Sequence, residues 1–374
     1  EKFLEENNPE LLKLRAEIRA KQGRSVEAGL YPNPSLGVFQ RNETFNDHSP
    51  ISEQTEVILT QPIVLTDRLE TAKRAEQNRT RAVIHQYEMK RQQLQREMRN
   101  LHDEVLYHKE HESVAWELLA TVEKEMNSAR TENDRERLQI IFEELSLEIT
   151  VIAAELAFAM QNLETYLGVP VELKSSQFIT ELDDALNYEL QRALVDEVVD
   201  TTPEYKADLA ELDARKEDHQ LSKSTVIPDI DLSAGTGYRY AYDETFFSLG
   251  VQIPLPLFDR NQGKKQETKA LVDAQIAQIN QTNIDQLIEI KNLKQFANEI
   301  STTYDVYYYE IVPRTRKTFE KVSRQYRNGE STIHDLLSAL KTLIKNERLL
   351  VDYKLKINNI NADRKSTRLN SSHV

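Results

Sequence analysis

Histidines and acidic residues supply the few candidates for metal or proton chemistry in this chain. His108 and His111 lie one helical turn apart in the stretch YHKEHE, and Glu112 follows, so these three side chains could share a metal ion. No further ligand completes a zinc-site spacing, and a solvated helix face is the simpler interpretation. His334, beside Asp335, is a candidate pH-sensitive element, although one histidine alone is a weak signal. We therefore predict no metal site and no cofactor.

Enzyme and nucleic-acid chemistry find no support in the sequence. Nothing resembles a nucleophile elbow, a phosphate loop or a pair of catalytic carboxylates, so we predict no catalytic residue and no enzyme activity. Acidic residues outnumber basic ones by 62 to 48, which gives a formal charge of -14. No basic cluster is long enough to follow a phosphate backbone, so we expect no nucleic-acid partner.

The composition favours long helices over a compact globule. Charged residues make up 29% of the chain and hydrophobic ones 39%, and there are only 9 glycines in 374 residues. No run approaches the roughly 18 apolar residues of a transmembrane helix, so strands would have to make any membrane crossing. With no cysteine in the sequence, disulfides and thiolate sites are excluded, and the compartment stays open on this count.

The two halves of the chain repeat each other. A shift of 194 residues lays NPELLKLRAEIRAKQ (8–22) over TPEYKADLAELDARK (202–216), and Pro9 falls on Pro203. A shift of 192 residues lays TQPIVLTDR over QIPLPLFDR, so that Pro62 falls on Pro254. Prolines that match at these two distances predict a duplicated architecture.

Each repeat is predicted to contain a helix, a β-hairpin, a long helix and a returning helix. Pro313 should kink or interrupt the second long helix. The chain is expected to be processed or truncated at its start, and the last ten residues resemble a translated sequencing adapter. The predicted ranges are 1–167 for the first repeat (hairpin 34–63, helices 65–129 and 135–167), 168–202 for an inter-repeat segment, 203–364 for the second repeat (hairpin 228–256, helices 259–325 and 331–361) and 365–374 for an extraneous tail.

The returning helices carry the spacing of coiled coils. In the first one, apolar residues follow alternating steps of four and three from Leu138 to Tyr166, which predicts a helix-pairing seam. In the second one, two apolar stripes begin at Leu336 and Leu337, and a neighbour on each side would explain both.

The stretch IPDIDLSAGTGYRYAY (227–242) alternates as a β-strand does. Four strands are too few to close a barrel, which needs about eight, so several chains would share one or the strands would be covered in another way. In a bilayer, the apolar face of this strand would point toward lipid. In a soluble protein, the hairpin would instead pack this face against helices of the same chain. The predicted membrane-facing residues are Ile230, Leu232, Tyr238, Tyr240, Leu249 and Val251.

Several stretches resemble the outer-membrane efflux protein family, the TolC-like proteins, including its heavy-metal and multidrug branches. They are NPEL, YPNPSL, NLETYLGVP and YRNGESTIHDLLSALKTL, and the resemblance runs from about Asn8 to Ala362. It implies a mainly α fold with a small β part, in which a homotrimer forms an outer-membrane β-barrel continued by a periplasmic α-helical coiled-coil barrel. The implied localisation is the outer membrane of a Gram-negative bacterium, extending into the periplasm.

The function implied by the resemblance is that of a passive exit duct in a tripartite efflux system, gated at its helical tip by a docking adaptor. The implied partners are a periplasmic adaptor protein, an inner-membrane efflux pump and outer-membrane lipid. A duct for type I protein secretion and a soluble coiled-coil scaffold remain alternatives, and the cargo is not specified.

The same resemblance points to helix-turn-helix tips as the functional region. It implies that Asp335 and Ser338 line the aperture, although Asp335 could equally be a solvated carboxylate at a helix start. Gly329 should end one helix in a left-handed conformation, and Ser331 or Thr332 should cap the next. The implied adaptor-docking residues are Asn133, Asp134, Gly329, Ser331, Thr332 and Leu336.

The first repeat departs from the family pattern at its turn, RTENDRERLQII. In this turn Asn133 lies opposite Gly329 in the alignment of the two repeats, with no Thr-Asp pair. The sequence therefore does not predict the inter-helix ties that close the gate in the family.

Overall fold

A computed structural model describes residues 6–43, 52–167, 202–240 and 242–368. The predicted inter-repeat segment lies outside these ranges except for Thr202, and so do residues 369–374 of the tail.

Helices dominate the described residues, and the order helix, hairpin, long helix, returning helix occurs twice. The second long helix is interrupted by a π-helical segment that ends two residues before Pro313, close to the point where the sequence predicts an interruption. The elements are α1 (Pro9–Ala28), β1 (Ser35–Glu43), β2 (Ser52–Ile63), α2 (Arg68–Asn127), α3 (Glu132–Leu167), α4 (Pro203–Ser224), β3 (Ile230–Arg239), β4 (Glu244–Gln252), α5 (Gln262–Val306), the π segment (Tyr307–Ile311), α6 (Val312–Asn328) and α7 (Ile333–Arg368).

The last helix is longer than predicted. α7 continues to Arg368, which lies inside the predicted extraneous tail of residues 365–374. No glycine or proline follows Ile360 before that point, so nothing in the local sequence ends the helix earlier.

The chain divides into two compact units. Of the described residues, the sheet unit contains 9–43, 52–88, 203–240 and 242–283, and the helical unit contains 6–8, 89–167, 202 and 284–368. The boundaries fall within α2 and within α5.

The sheet unit contains one four-stranded antiparallel sheet in the order β1-β2-β3-β4. Leu59 of β2 pairs with Ala234 of β3, which pairs with Leu249 of β4, so these residues share one face. This face is apolar and open, since Leu249 is 89% exposed. On the opposite face Glu56 is only 6% exposed. The apolar face of the sheet is therefore exposed and the polar face is covered. In a sheet that packs on a core, the apolar face is the covered one.

Glycines on the other face let a large ring lie flat against the strands. Gly237 of β3 pairs with Phe246 of β4, and a Cβ at Gly237 would lie 2.4 Å from Phe246 Cζ and 2.7 Å from the carbonyl oxygen of Thr55. The Arg239 guanidinium lies 4.8 Å from the centroid of the Phe246 ring. The absence of a side chain at Gly237 is thus what admits the aromatic ring.

The helical unit is held by an apolar core to which four helices contribute. The predicted seam of α3 faces this core, with Leu138 and Leu145 at 0% and 2% exposure. The buried members of this tip-side cluster are Ala115, Leu118, Leu119 and Val122 of α2, Leu138, Ile141, Leu145, Ile149 and Ile152 of α3, Phe319 and Tyr326 of α6, and Leu336, Leu340, Leu343 and Ile344 of α7.

Within the described ranges, no helix has an apolar stretch long enough to cross a membrane.

Replacing Gly237 by alanine should destabilise the sheet by about 1–3 kcal/mol, because the added methyl group overpacks the Phe246 ring and the Thr55 carbonyl. Thermal unfolding of the purified protein, followed by circular dichroism, measures the effect. Gly263→Ala is the matched control, since no atom lies within 4 Å of a Cβ placed there and alanine is the better helix former. Equal stability of the two variants would contradict the close Gly237–Phe246 contact.

Candidate functional site at the helix tips

Two tips connect the antiparallel helices of the helical unit. The first tip, residues 127–135, joins α2 to α3, and the second tip, residues 328–335, joins α6 to α7. Both consist of a helix end, a short turn and a helix start, and their contacts build the site.

The second tip closes α6 with a left-handed glycine. Gly329 has φ 83° and ψ 10°, and its N–H donates to the carbonyl of Tyr326 at 3.0 Å. The N–H of Glu330 donates to the carbonyl of Gln325 at 2.9 Å. This pair of bonds is a Schellman motif, which favours glycine because a side chain is strained at this φ.

Thr332 and Asp335 together begin α7. Thr332 Oγ1 accepts from the N–H of Asp335 at 3.3 Å, and Asp335 Oδ2 accepts from the N–H of Thr332 at 3.0 Å. The same oxygen accepts from Thr332 Oγ1 at 2.7 Å and from Ser331 Oγ at 3.1 Å. This reciprocal arrangement is a capping box with aspartate in place of glutamate. Asp335 is therefore an exposed helix-start carboxylate, and an aperture role would come in addition to that.

The hydrogen bonds to Asp335 also favour its ionised form. Donation from the Thr332 hydroxyl, then from the Thr332 N–H and the Ser331 hydroxyl, lowers the pKa of Asp335 below its ordinary value of 3.8. A negative charge at the first turn also suits the α7 helix dipole.

The first tip has the Thr-Asp pair that the sequence analysis missed. Thr131 Oγ1 accepts from the N–H of Asp134 at 3.1 Å, and the Thr131 carbonyl accepts from the N–H of Arg135 at 3.1 Å. Thr131 is thus the N-cap of α3. The match of Asn133 with Gly329 is wrong, because Asn133 lies inside α3 and the residue that follows α2 is Ser128.

Tyr326 ties the two tips together. Its side chain is 1% exposed, and its hydroxyl donates to Asp134 Oδ2 at 2.7 Å while accepting from the N–H of Arg130 at 3.0 Å. Burial raises the pKa of Tyr326, and a neutral hydroxyl is the form that can donate to Asp134. Inter-helix ties that the sequence did not predict are therefore present.

Arg130 reaches from the first tip over the second. Its Nη1 donates to the carbonyl of Tyr326 at 3.3 Å and to the carbonyl of Ser331 at 3.2 Å. Its guanidinium also lies 5.3 Å from the centroid of the Tyr326 ring, within cation–π range. One side chain thus holds both the end of α6 and the turn that follows it.

Two further contacts join the helices next to the tips. Ser323 Oγ donates to Glu125 Oε1 at 2.8 Å, and Glu125 is only 2% exposed, so this carboxylate is a buried link between α2 and α6. Arg137 Nη1 lies 3.0 Å from His334 Nε2 and joins α3 to α7. Because arginine only donates, this contact requires His334 Nε2 to be unprotonated.

The predicted docking and aperture residues differ in their exposure. Asn133, Thr332 and Ser338 are exposed, as a docking or aperture role requires. Leu336 is 0% exposed in the tip-side cluster, so its assignment as a surface docking residue is wrong. The spacing of Leu336 fits either a buried helix seam or an exposed surface. Leu336 is buried because it lies on the side of α7 that packs against the other helices.

Three residues of the tip network were missed: Thr131, Arg130 and Tyr326. The signal for Thr131 was available, since Thr131 and Asp134 repeat the Thr332 and Asp335 spacing. Nothing in the sequence identifies the Tyr326 hydroxyl as a link, because its partners come from a distant part of the chain.

His108 does not lie on a solvated helix face, so the interpretation of that residue as a solvated side chain is wrong. The His108 side chain is 12% exposed, with Nδ1 3.5 Å from Glu155 Oε2, and the His111 ring centroid is 5.6 Å from that of Tyr107. Over the part of the chain that the structure describes, no group of three or more His, Asp or Glu side chains is arranged to hold a metal ion.

Five of the six predicted strand residues lie in β3 or β4 and share one face of the sheet, whereas Tyr240 follows the end of β3. Register sets Leu232 opposite Val251, and exposure alternates along β3 and β4. The same face continues on β1 and β2, where less regular alternation gives no clear prediction from sequence. The large apolar residues exposed there are Leu36, Val38, Val57 and Leu59.

Comparison with known proteins bears on the class of this chain. A family model described as Outer membrane efflux protein matches residues 194–363. The Cobalt-zinc-cadmium resistance protein CzcC of Cupriavidus metallidurans is 27% identical over 204 residues, which cover 53% of this chain and 47% of CzcC. The chain thus spans about half the length of this curated relative.

Solved structures share the fold over nearly the whole chain. The open state of the MtrE outer-membrane channel of Neisseria gonorrhoeae is 16% identical with a TM-score of 0.76, covering 98% of this chain and 87% of MtrE. The outer-membrane protein VceC of Vibrio cholerae is 16% identical with a TM-score of 0.74, covering 98% of this chain and 94% of VceC.

The mainly helical fold with a small sheet is therefore the fold of outer-membrane channels. The resemblance to the outer-membrane efflux protein family, inferred from the sequence, is confirmed.

The capping contacts predict a measurable titration of Asp335. Its folded-state pKa lies below the unfolded-state value, so the stability it contributes is present above about pH 3.8 and is lost as the pH falls through the folded-state value. Carbon NMR of protein labelled at aspartate should show a midpoint below 3.8, shifted back toward it in Thr332→Val. Thr342→Val, which removes a hydroxyl further along α7, should leave the midpoint unchanged, and an unshifted wild-type midpoint would contradict the capping box.

Proposed function

We propose that this protein is the outer-membrane exit duct of a tripartite efflux system in a Gram-negative bacterium. The open apolar face of the sheet carries the proposal, because Leu249 and Phe247 at 89% and 84% exposure suit lipid and are costly in water. The similarity to outer-membrane channels and to a resistance protein supports it. A duct conducts passively, which agrees with the prediction that the chain is not an enzyme.

A homotrimer is the assembly we propose. Within the described chain, β1 and β4 form the two edges of the sheet, and edges of this kind pair with further strands. Pairing between copies would close a shared β-barrel in the outer membrane, continued into the periplasm by a helical barrel.

An open coiled-coil seam on α3 supports association with other copies. This seam runs beside the buried one, and its exposed positions recur in steps of seven and four, which is heptad spacing. The large apolar residues are Ile140, Leu147, Val151 and Phe158, exposed by 57%, 70%, 56% and 63%.

Gating at the tips follows from the ties described above. Separating the first tip from the second breaks the bonds of Tyr326 to Asp134 and of Arg130 to Ser331, each a modest cost of about 0.5–1.5 kcal/mol. A periplasmic adaptor that binds the tips could supply this free energy, and an inner-membrane pump would drive the cargo. Asp335, repeated by threefold symmetry, would attract cations at the aperture, and the uncharged Ser338 lies one turn further on.

Divalent transition-metal ions are the first cargo that we propose to test. The name of CzcC refers to cobalt, zinc and cadmium resistance, and this is the reason for the choice. The ions would pass as cargo and would need no resident metal site.

Planar-bilayer recording of the purified protein tests the duct and its gate. Tyr326→Phe removes one hydroxyl that bonds both Asp134 and Arg130, so the open fraction should rise roughly 2- to 10-fold. Tyr87→Phe is the matched control, since it removes a hydroxyl bonded to Arg15 in the sheet unit and should leave gating unchanged. A correctly folded protein that never inserts would overturn the duct and favour the soluble scaffold.

The same recordings test the acidic aperture through Asp335→Asn, which removes the charge and keeps an oxygen for the capping box. Cation preference should fall while the protein stays folded. An unchanged preference would remove Asp335 from the aperture and leave the duct in place.

The open seam predicts a specific effect on assembly. Leu147→Lys should shift the purified protein toward monomers, because it buries a charge where copies meet. Ala157→Lys is the control, since Ala157 is exposed and lies about 100° round the helix from Phe158 of the seam. Light scattering in detergent measures the mass, and an intact oligomer in the Leu147 variant would contradict the proposed interface.

A further inference from the structure

The apolar core of the helical unit is divided into separate clusters. Along α2, Val105 belongs to one cluster and Ala115 begins the tip-side cluster. Along α3 the change falls between Ile152 and Ala159, and along α7 it falls between Ile344 and Ile357. The clusters therefore change over the same part of each helix.

Polar and ionic contacts join the helices between the clusters, beside the buried Leu350 and Val351 of α7. Tyr107 Oη donates to Asp352 Oδ1 at 2.8 Å, which joins α2 to α7. Arg348 pairs with Glu148, and Lys354 pairs with Glu110. We call this set the polar layer, and its members are Tyr107, His108, Glu110 and His111 of α2, Glu148 and Glu155 of α3, and Arg348, Asp352 and Lys354 of α7.

The π segment faces the same layer from the remaining helix. The Tyr307 ring lies 5.1 Å from that of Tyr353, a neighbour of Asp352 on α7. The N–H of Val312 donates to the carbonyl of Tyr307, a wider turn than that of an α-helix, and Pro313 has no N–H to donate. None of the residues 307–311 is buried. The irregular backbone of the π segment thus lies against α7 next to Asp352 of the polar layer.

His111 is the least satisfied group of the layer. Neither ring nitrogen has a hydrogen-bond partner in the described chain, and both are buried. Burial lowers the pKa of His111 below 6.5, with Glu148 and Asp352 acting to raise it and Arg348 and His108 acting to lower it. A neutral imidazole without partners gains hydrogen bonds whenever the layer admits water.

We propose that the polar layer and the π segment form a hinge, at which the tip-side end of the helical unit bends as a block. Apolar clusters move as units because their packing is dense, whereas ion pairs and a π turn can exchange partners at low cost. Such bending carries both tips of one chain together, away from the tips of neighbouring copies; this use of the hinge rests on the proposed function, but the hinge itself does not.

Protonation should loosen the hinge. Burial lowers the pKa of His111 in the closed layer, whereas in an open and hydrated layer its pKa returns toward the ordinary value of 6.5. As the pH falls below 6.5, the open layer therefore binds a proton more readily than the closed layer. The closed state consequently loses stability as the pH falls. The other titratable groups of the layer are His108, which faces Glu155, and the ion pairs Arg348–Glu148 and Lys354–Glu110.

Hydrogen–deuterium exchange of the full-length protein, read by mass spectrometry, tests the hinge directly. At pH 7.5, amides of residues 107–111 and 307–311 should exchange at least about tenfold faster than amides of residues 115–122 in the tip-side cluster. At pH 5.5 the difference should widen after correction for intrinsic rates. Equal protection along α2 would overturn the hinge.

Two variants separate the hinge from a general loss of stability. His111→Leu should slow exchange across the layer and abolish its pH dependence. His219→Leu is the control, because burial also lowers the pKa of His219 while that residue lies in the sheet unit, so the layer should be unaffected. A His111 variant with unchanged pH dependence would overturn the role of His111, whether or not the protein conducts.

The exchange experiment tests the hinge, and the bilayer recording tests the duct, so either proposal can be overturned without the other. Rapid exchange at the layer in a protein without conductance would keep the hinge and discard the duct. Uniform exchange in a conducting protein would do the reverse.

Discussion

Narrow apolar seams on long, charged helices impose the constraint on which the rest of this structure depends. A helix of this kind is stable only when each seam is covered by another helix, because propensity alone contributes little in water. In the helical unit, α3 meets this constraint by burying the stripe that contains Leu138 and Leu145. Its second stripe, with Leu147 at 70% exposure, is not covered by any of the described residues, which is why we infer assembly from copies.

The same constraint explains where polar groups lie. The tips bring helix ends together, where carbonyl and N–H groups lack partners, and side chains satisfy them. Thr131, Thr332 and Gly329 do this locally, whereas Tyr326 and Arg130 do it between tips. In the gating that we propose, bonds of this kind hold the closed state and a binding partner breaks them.

Much of the architecture could be predicted from the sequence because periodicity reports local structure. The α3 seam and the β3–β4 alternation both predicted a face that the structure has. The failures arose where local signals compete or are distant. Leu336 fits both a seam and a surface, and the misaligned first tip hid Thr131. The hydroxyl of Tyr326 meets Asp134 across 192 positions, which no periodicity reports.

Single-channel recording of protein with its two tips cross-linked would test most directly the claim that tip separation opens a duct. The chain has no cysteine, so Asn133→Cys and Glu330→Cys, both exposed, would introduce the only two thiols. With a cleavable bifunctional thiol reagent bound across the tips, the duct should stay in its low-conductance state, and cleavage of the reagent should restore openings. Openings that are equally frequent before and after cleavage would contradict the account.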